Sequence, residues 1–203
     1  MQELRPGLWT WTAVHPEWTE DDVGPEGWDR NVRSYAYDSG PCLVLFDPVA
    51  PPSLLEGLVE SKDVAVLLTE ECHVRSAAEC VERFGATVHV MKEAVPELSI
   101  PAKGFEEGDA LPGGVVAQLE VYAFEAIFWI PAERAIVSGD ALIGGELGVH
   151  VQPESWHLKG TTAASFRDTL RPLLELPIEL VLLTHGDPVL EEGREAVRAA
   201  IDR

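Results

Sequence analysis

The chain has 203 residues, of which 46% are hydrophobic, so it can form the core of a single domain over residues 1–203. It carries 35 acidic and 15 basic residues, and the net charge of −20 disfavours nucleic acid and membrane partners. No apolar run approaches the roughly 20 residues of a membrane span, and no secretory signal is visible. Its three cysteines are too scattered for a disulfide framework, so we expect a cytoplasmic protein with reduced thiols.

Alternating apolar residues and turn signals predict that the chain begins as a β-meander. Leu8–Val14 alternates with the period of a half-buried strand, and residues 15–29 have the composition of an irregular loop. Two further strands are predicted at residues 32–37 and at Cys42–Phe46, joined by a tight turn and ended by Asp47-Pro48.

Helices and strands alternate after this meander. We predict a short helix at residues 54–59, a buried strand at 64–68, a helix at Ala77–Phe84 and a strand at Thr87–Met91. Residues 97–112 contain prolines, glycines and acids, which predict an exposed crossing.

The second part of the chain repeats this order of strands followed by helices. The predicted elements are strands at 115–122, 126–130 and 135–137, a helix at 161–174, a strand at Leu180–Leu183 and a helix at 191–201. This recurrence predicts an α+β fold in which two packed sheets carry helices on their outer faces, a four-layer αββα sandwich. A single mixed sheet is the competing architecture.

Three predicted strands end in short loops that carry possible ligands or acid/base groups. The residues concerned are Glu70, Cys72, His73 and Arg75 after Thr69 in the first loop, Asp140 in the second and His185 in the third. Where several strands bring such residues to one edge of a sheet, a functional site is expected. His15, His89, His150 and His157 lie outside these loops, and we assign them no role in the site.

The order and character of these loops resemble the metallo-β-lactamase fold superfamily, and the resemblance extends over most of the chain. It implies the αββα sandwich and hydrolysis by a metal-bound hydroxide. In that family the first loop reads Thr-His-x-His-x-Asp-His. Aligned from Thr69, the ligand positions are here Glu70, Cys72, Val74 and Arg75.

This loop therefore departs strongly from the family's pattern. Neither Val74 nor Arg75 can bind a metal, and His73 lies one residue out of register. A further histidine that the family places near residues 119–125 is absent. Only Asp140 and His185 match.

Three functions remain open from these residues, of which a purely structural subunit is the third. In the first, the protein is a non-catalytic descendant with an eroded metal site, and its pocket binds a small polar or anionic ligand with little or no metal. We then expect Arg75 to replace the metal's charge and to hydrogen-bond to Asp140 or Glu70. In the second, Glu70, Cys72, Asp140 and His185 bind zinc or another divalent transition metal, and the protein is a mononuclear hydrolase of a small ester, thioester or lactam.

The loop residues receive two kinds of role. We expect acid/base roles for His73, Asp140 and His185 and ligand-binding roles for Glu70, Cys72 and Arg75. The structural alternatives are that Cys72 is a small buried residue, that Arg75 lies on the first turn of a helix and that His73 faces solvent. Trp18, Trp28 and Trp156 fall in irregular segments and are candidates for an apolar pocket wall. The expected partner is a small molecule, and a homodimer is possible.

Overall fold

Two β-sheets packed face to face form the centre of the protein, which is described by a computed structural model. The structure describes residues 1–22, 30–121, 124–146 and 148–203. Trp28 and Tyr122, for which we predicted a pocket wall and a strand end, lie outside the described residues.

The first sheet has seven strands that are adjacent in chain order. They are β1 (Gln2–Arg5), β2 (Leu8–Val14), β3 (Asn31–Asp38), β4 (Cys42–Phe46), β5 (Asp63–Leu67), β6 (Thr87–Met91) and β7 (Lys103–Phe105). Strands β1 to β4 pair antiparallel, and β4 to β7 pair parallel through crossover connections.

The second sheet has four strands in the order β13-β10-β9-β8, beside a two-stranded ribbon of β11 and β12. These strands are β8 (Val116–Val121), β9 (Glu125–Ile130), β10 (Ala135–Ser138), β11 (Leu142–Gly145), β12 (Gly148–Val151) and β13 (Leu180–Leu183). Alternate residues face opposite sides: in β10, Ala135 and Val137 belong to the core between the sheets, and Ile136 to the core beneath the helices.

Three α-helices in the described part of the chain cover the outer faces. Helix α1 (Ala77–Phe84) packs on β5 and β6, whereas α2 (Ala163–Leu170) and α3 (Gly193–Asp202) cover the outer side of the second sheet. The four-layer αββα sandwich is therefore confirmed. Within the described part of the chain, no helix is long and apolar enough to cross a membrane.

Several predicted elements have different bounds or were missed. The predicted exposed crossing at 97–112 is wrong in part, because it contains β7, whose Phe105 is buried. The predicted helix at 161–174 divides into α2 and a 3₁₀ helix at Arg171–Glu175, since Pro172 offers no N–H to continue an α-helix. Strands β1, β11 and β12 had no prediction, and the short helix after β4 is a 3₁₀ helix at Ser53–Gly57.

Candidate functional site

Strand direction brings the three loops to one edge of the sandwich. Strands β2, β4 and β5 run the same way in the first sheet, so the residues that follow them lie at a common edge. Strands β10 and β13 are parallel and end beside them, since the Arg33 N–H donates to the Thr184 carbonyl at 2.9 Å. Strand β9 is antiparallel to β10, so its first residue, Glu125, lies at the same edge.

Asp47 lies at the base of this site and is almost fully buried. Its Oδ1 accepts from the Thr69 N–H at 2.8 Å, and its Oδ2 accepts from the hydroxyls of Thr69 at 2.6 Å and Thr184 at 3.2 Å. Although burial opposes ionisation, His73, Arg75 and the Thr69 hydroxyl hold the pKa of Asp47 below its usual range. Asp47 also has a φ of 43°, a strained conformation of the kind found at functional sites.

Asp47 was not predicted as a site residue. We took it only as the end of a strand, although an aspartate directly after the fully buried β4 is the available signal.

His73 lies at the centre of the carboxylates. Because the Thr69 hydroxyl gives its one proton to Asp47, His73 Nδ1–H is the donor in the contacts to Thr69 Oγ1 at 2.9 Å and Asp47 Oδ2 at 3.1 Å. Its other nitrogen, Nε2, lies 3.4 Å from Glu70 Oε1 and 3.4 Å from Asp140 Oδ1.

The charges around His73 set its protonation state. Burial and Arg75 lower its pKa, but Glu70, Asp47 and Asp140 outweigh them and raise the pKa of His73 to about 10. His73 is therefore an imidazolium at neutral pH, and in this state it donates rather than accepts a proton.

The turn after Thr69 explains why His73 points inward. Residues Glu71–Val74 form a 3₁₀ helix, which places side chains three residues apart on the same side. Glu70 and His73 consequently face each other, and Cys72, between them, is exposed. Burial raises the pKa of Glu70 to about 7; His73 opposes this increase, and Asp140 adds to it by a smaller amount.

Asp140 connects the second and third loops. Its Oδ1 lies 3.2 Å from His185 Nε2 as well as near His73, yet it has no hydrogen bond of ordinary geometry among the described residues. Burial opposes its ionisation, but the two histidines hold the pKa of Asp140 far below its usual range. The structure thus brings together His73, Asp140 and His185.

The predicted pairing of Arg75 with Asp140 or Glu70 is wrong. Arg75 has one hydrogen bond to the described residues, from Nη1 to the Asp47 carbonyl at 3.4 Å. The Nε and Nη2 atoms of Arg75 are buried and have no hydrogen-bond partner in the described part of the chain. His73 occupies the place between the acids, because the 3₁₀ turn directs it there and leaves Arg75 after the turn, with a strained φ of 35°.

A cavity of about 280 Å³, which we call the arginine pocket, opens above these groups. Its walls include His15, Cys72, His73, Arg75, Trp156 and His185. His15 was not predicted there; it directly follows β2, and burial together with Arg75 lowers its pKa to about 4. The position of Trp156 agrees with its predicted part in a pocket wall.

A second cavity of about 210 Å³, the acidic pocket, lies beside the first. Its walls include Glu70, Glu71, Phe124, Glu125, Gln152 and Leu158. Asp140 and Trp156 line both cavities. Burial and the neighbouring acids raise the pKa of Glu125 well above its usual range, and its Oε1 accepts from the Ala141 N–H at 2.9 Å.

The donor atoms at the site are compatible with one metal ion. Possible ligand atoms of His73, Asp140 and His185 lie within 4.8 Å of one another, as do those of Glu70, Cys72 and His73. His73 is common to both groups, although the sequence placed it outside the ligand set. Asp140 Oδ1 and Glu70 Oε1 are buried without hydrogen bonds to described residues, and Asp47 holds His73 Nδ1 as a carboxylate holds a metal-bound histidine.

Comparisons with known proteins find similar folds. No protein-family model and no curated protein matches the chain. TTHA1623, solved in a di-iron-bound form, is 26% identical with a TM-score of 0.61, over 86% of this chain and 95% of its own. The metallo-β-lactamase family protein TTHA1429 from Thermus thermophilus is 18% identical with a TM-score of 0.65, over 98% and 78% of the two chains. A metallo-β-lactamase from Pontibacter korlensis is 14% identical with a TM-score of 0.67, over 100% and 98%.

Proposed function

Because the chain has the metallo-β-lactamase fold, we propose that it uses the pocket of that fold to bind a small anionic ligand, with protein cations in place of a metal. The observation that carries this proposal is the pair of buried, unpartnered donors on Arg75, which lines the arginine pocket. The ligand is a carboxylate or a phosphate. No metal is needed to neutralise the acidic side chains of the site.

The geometry of the guanidinium supports this ligand class. Nε–H and Nη2–H lie on one edge of the group, and that edge forms two parallel hydrogen bonds to a carboxylate or phosphate. A buried donor left without a partner costs about 1–3 kcal/mol, so a ligand that satisfies both recovers this free energy.

The charge of His73 supports binding without a metal. The imidazolium lies between Asp47, Glu70 and Asp140, at 3.1 to 3.4 Å from each carboxylate. It therefore supplies positive charge where these acids converge, and Arg75 forms no hydrogen bond with their carboxylates, so its Nε and Nη2 atoms can meet a ligand.

The experiment is a calorimetric titration of wild-type protein and of Arg75→Lys with butanoate and with inorganic phosphate. Lysine keeps the charge but lacks the paired edge, so we expect at least one of the two anions to bind wild-type protein and to bind the variant about tenfold more weakly, which corresponds to about 1.4 kcal/mol.

Arg83→Lys is the matched control, because Arg83 lies on α1 and pairs with Glu79 and Glu56 outside the pocket. Equal affinities of Arg75→Lys and wild-type protein for both anions would contradict the proposal.

A second candidate function is that of a mononuclear metal-dependent hydrolase of a small ester, thioester or lactam. The unpartnered oxygens of Asp140 and Glu70 favour it, together with the nearby His73 and His185 nitrogens. These residues would hold the ion, and a bound divalent ion would supply a nucleophilic water at neutral pH.

In that candidate the chain's own groups prepare the site. Asp47 fixes the ring of His73 through Nδ1, and His73 must lose its Nε2 proton before it can act as a ligand. About one equivalent of zinc, iron or manganese in the purified protein, lost in His185→Ala, is the result that this candidate requires.

A further inference from the structure

The arginine pocket and the acidic pocket adjoin, and they present opposite chemistry. Asp140 and Trp156 line both cavities, so the two spaces meet at these side chains. On one side, Arg75 Nε and Nη2 have no hydrogen-bond partner among the described residues. On the other, Glu71 Oε2 likewise has none, and Glu70 Oε1 lies 3.4 Å from His73 Nε2 without a hydrogen bond to a described residue.

Glu125 is the most deeply buried of the described acids that line the acidic pocket. Glu125, which is 5% exposed, lines the pocket and uses Oε1 for the Ala141 N–H, with no other hydrogen bond to described residues. Glu70 and Asp140 face the His73 imidazolium, whereas Glu71 and Glu125 form no ion pair with a basic side chain among the described residues.

We infer that the ligand is bipolar, with a carboxylate or phosphate held by Arg75 and an ammonium group held by Glu70, Glu71 and Glu125. This inference rests on the proposed function, because it assigns the second end of the same ligand. Phe124 and Leu158 add apolar surface to the acidic pocket, which suits the methylene groups that join the two charges.

The charge of the whole chain favours a ligand of this kind. A net charge of −20 repels a simple anion at long range, whereas a zwitterion carries no net charge and is not repelled. The ammonium group of a zwitterion also donates hydrogen bonds to carboxyl oxygens of the acidic pocket. A simple anion bound to Arg75 would leave these oxygens unpaired.

The test is a series of calorimetric titrations at pH 7 with glycine, β-alanine, 4-aminobutanoate and 6-aminohexanoate. The fatty acid and the alkylamine of the same carbon number serve as single-charge controls for each. The series varies the distance between the charges, and we expect at least one amino acid to bind tenfold or more tightly than either of its controls.

Glu71→Gln separates the two ends of the site. It removes one negative charge of the acidic pocket and replaces a carboxylate oxygen with an NH2 group, which cannot accept from an ammonium group. We therefore expect it to reduce the preference for the amino acid and to change fatty-acid affinity less than twofold. Glu82→Gln, on the exposed side of α1, is the matched control and should change neither. Unfolding curves of both variants check that they fold.

The outcomes distinguish this inference from the proposed function. Fatty acids that bind through Arg75 as tightly as every amino acid would overturn the inference and leave the proposed function standing. Absence of Arg75-dependent binding by any fatty acid, amino acid or phosphate would overturn both. Unchanged amino-acid preference in Glu71→Gln would also overturn the inference.

Discussion

The charge on a single residue, His73, organises the site. Its two ring nitrogens contact carboxylates on three different segments: Asp47 after β4, Glu70 in the turn after β5, and Asp140 after β10. A buried carboxylate without a counter-charge costs several kcal/mol, so one imidazolium here offsets the burial of several acids. The position of this charge also leaves the edge of Arg75 unoccupied.

The raised pKa of His73 predicts a fall in stability at alkaline pH. Its pKa rises from 6.5 to about 10 on folding, so its contribution is complete below pH 6.5 and is lost as the pH approaches 10. Asp47, Glu70 and Asp140 raise this pKa, whereas burial and Arg75 oppose them. For one proton, the free energy of unfolding should fall by roughly 1.4 kcal/mol per pH unit between about pH 7 and 9.

Urea unfolding of chelator-dialysed protein across this range measures the effect. His73→Gln should reduce the slope by the roughly 1.4 kcal/mol per pH unit of one proton, whereas His89→Gln should keep it, because His89 is buried but has a lowered pKa. A wild-type slope that survives in His73→Gln would show that another group is responsible.

At the level of elements, the parallel strands and their loops were predictable from sequence, but the path of one turn was not. Apolar runs and following polar residues placed Asp140 and His185 at strand ends, and the structure brings them together. For His73, counting from Thr69 assumed the family's loop path. The 3₁₀ turn changes that path. A shift of one residue along the turn is enough to change which side chain points inward.

The residues that sequence analysis missed are placed at the site by contacts between strands that are distant in sequence. His15 and Glu125 lie beside the site because β2 and β9 have particular neighbours, and sheet order is not encoded in a local pattern. Likewise, β7 and the β11–β12 ribbon are too short for periodicity to separate them from loops.

The contact between the last two loops gives a prediction about Gly186, which follows His185. Its φ is +89°, and a Cβ there would lie 2.6 Å from Gly144 Cα and 2.7 Å from the Gly144 oxygen. Gly186→Ala should therefore destabilise the protein by clearly more than the ~1 kcal/mol expected from backbone conformation alone, and should weaken binding in the arginine pocket.

Gly108→Ala is the matched control, because Gly108 has a φ of +88° and a Cβ added there would have nothing within 4 Å. Urea unfolding of the two variants isolates the steric contact. Equal losses of stability in Gly186→Ala and Gly108→Ala would contradict the prediction, because the contact between Gly186 and Gly144 would then add no cost.

At the scale of the whole molecule, the αββα sandwich positions two polar pockets on a strongly acidic protein. The net charge of −20 makes a cation an attractive partner at long range, whether it is a metal ion or the ammonium end of a ligand. Two cationic side chains of the protein, His73 and Arg75, lie at the edge of the sandwich where the three loops come together. The proposed function depends on these side chains carrying the positive charge of the site.

The most direct measurement is the metal content and the thermal unfolding of protein purified without a histidine tag, before and after chelation. We expect far less than one equivalent of transition metal and an unchanged unfolding temperature, because no bound ion contributes to the native state. About one equivalent of zinc, iron or manganese, with an unfolding temperature that falls on chelation and a metal content that is lost in His185→Ala, would contradict the metal-free pocket.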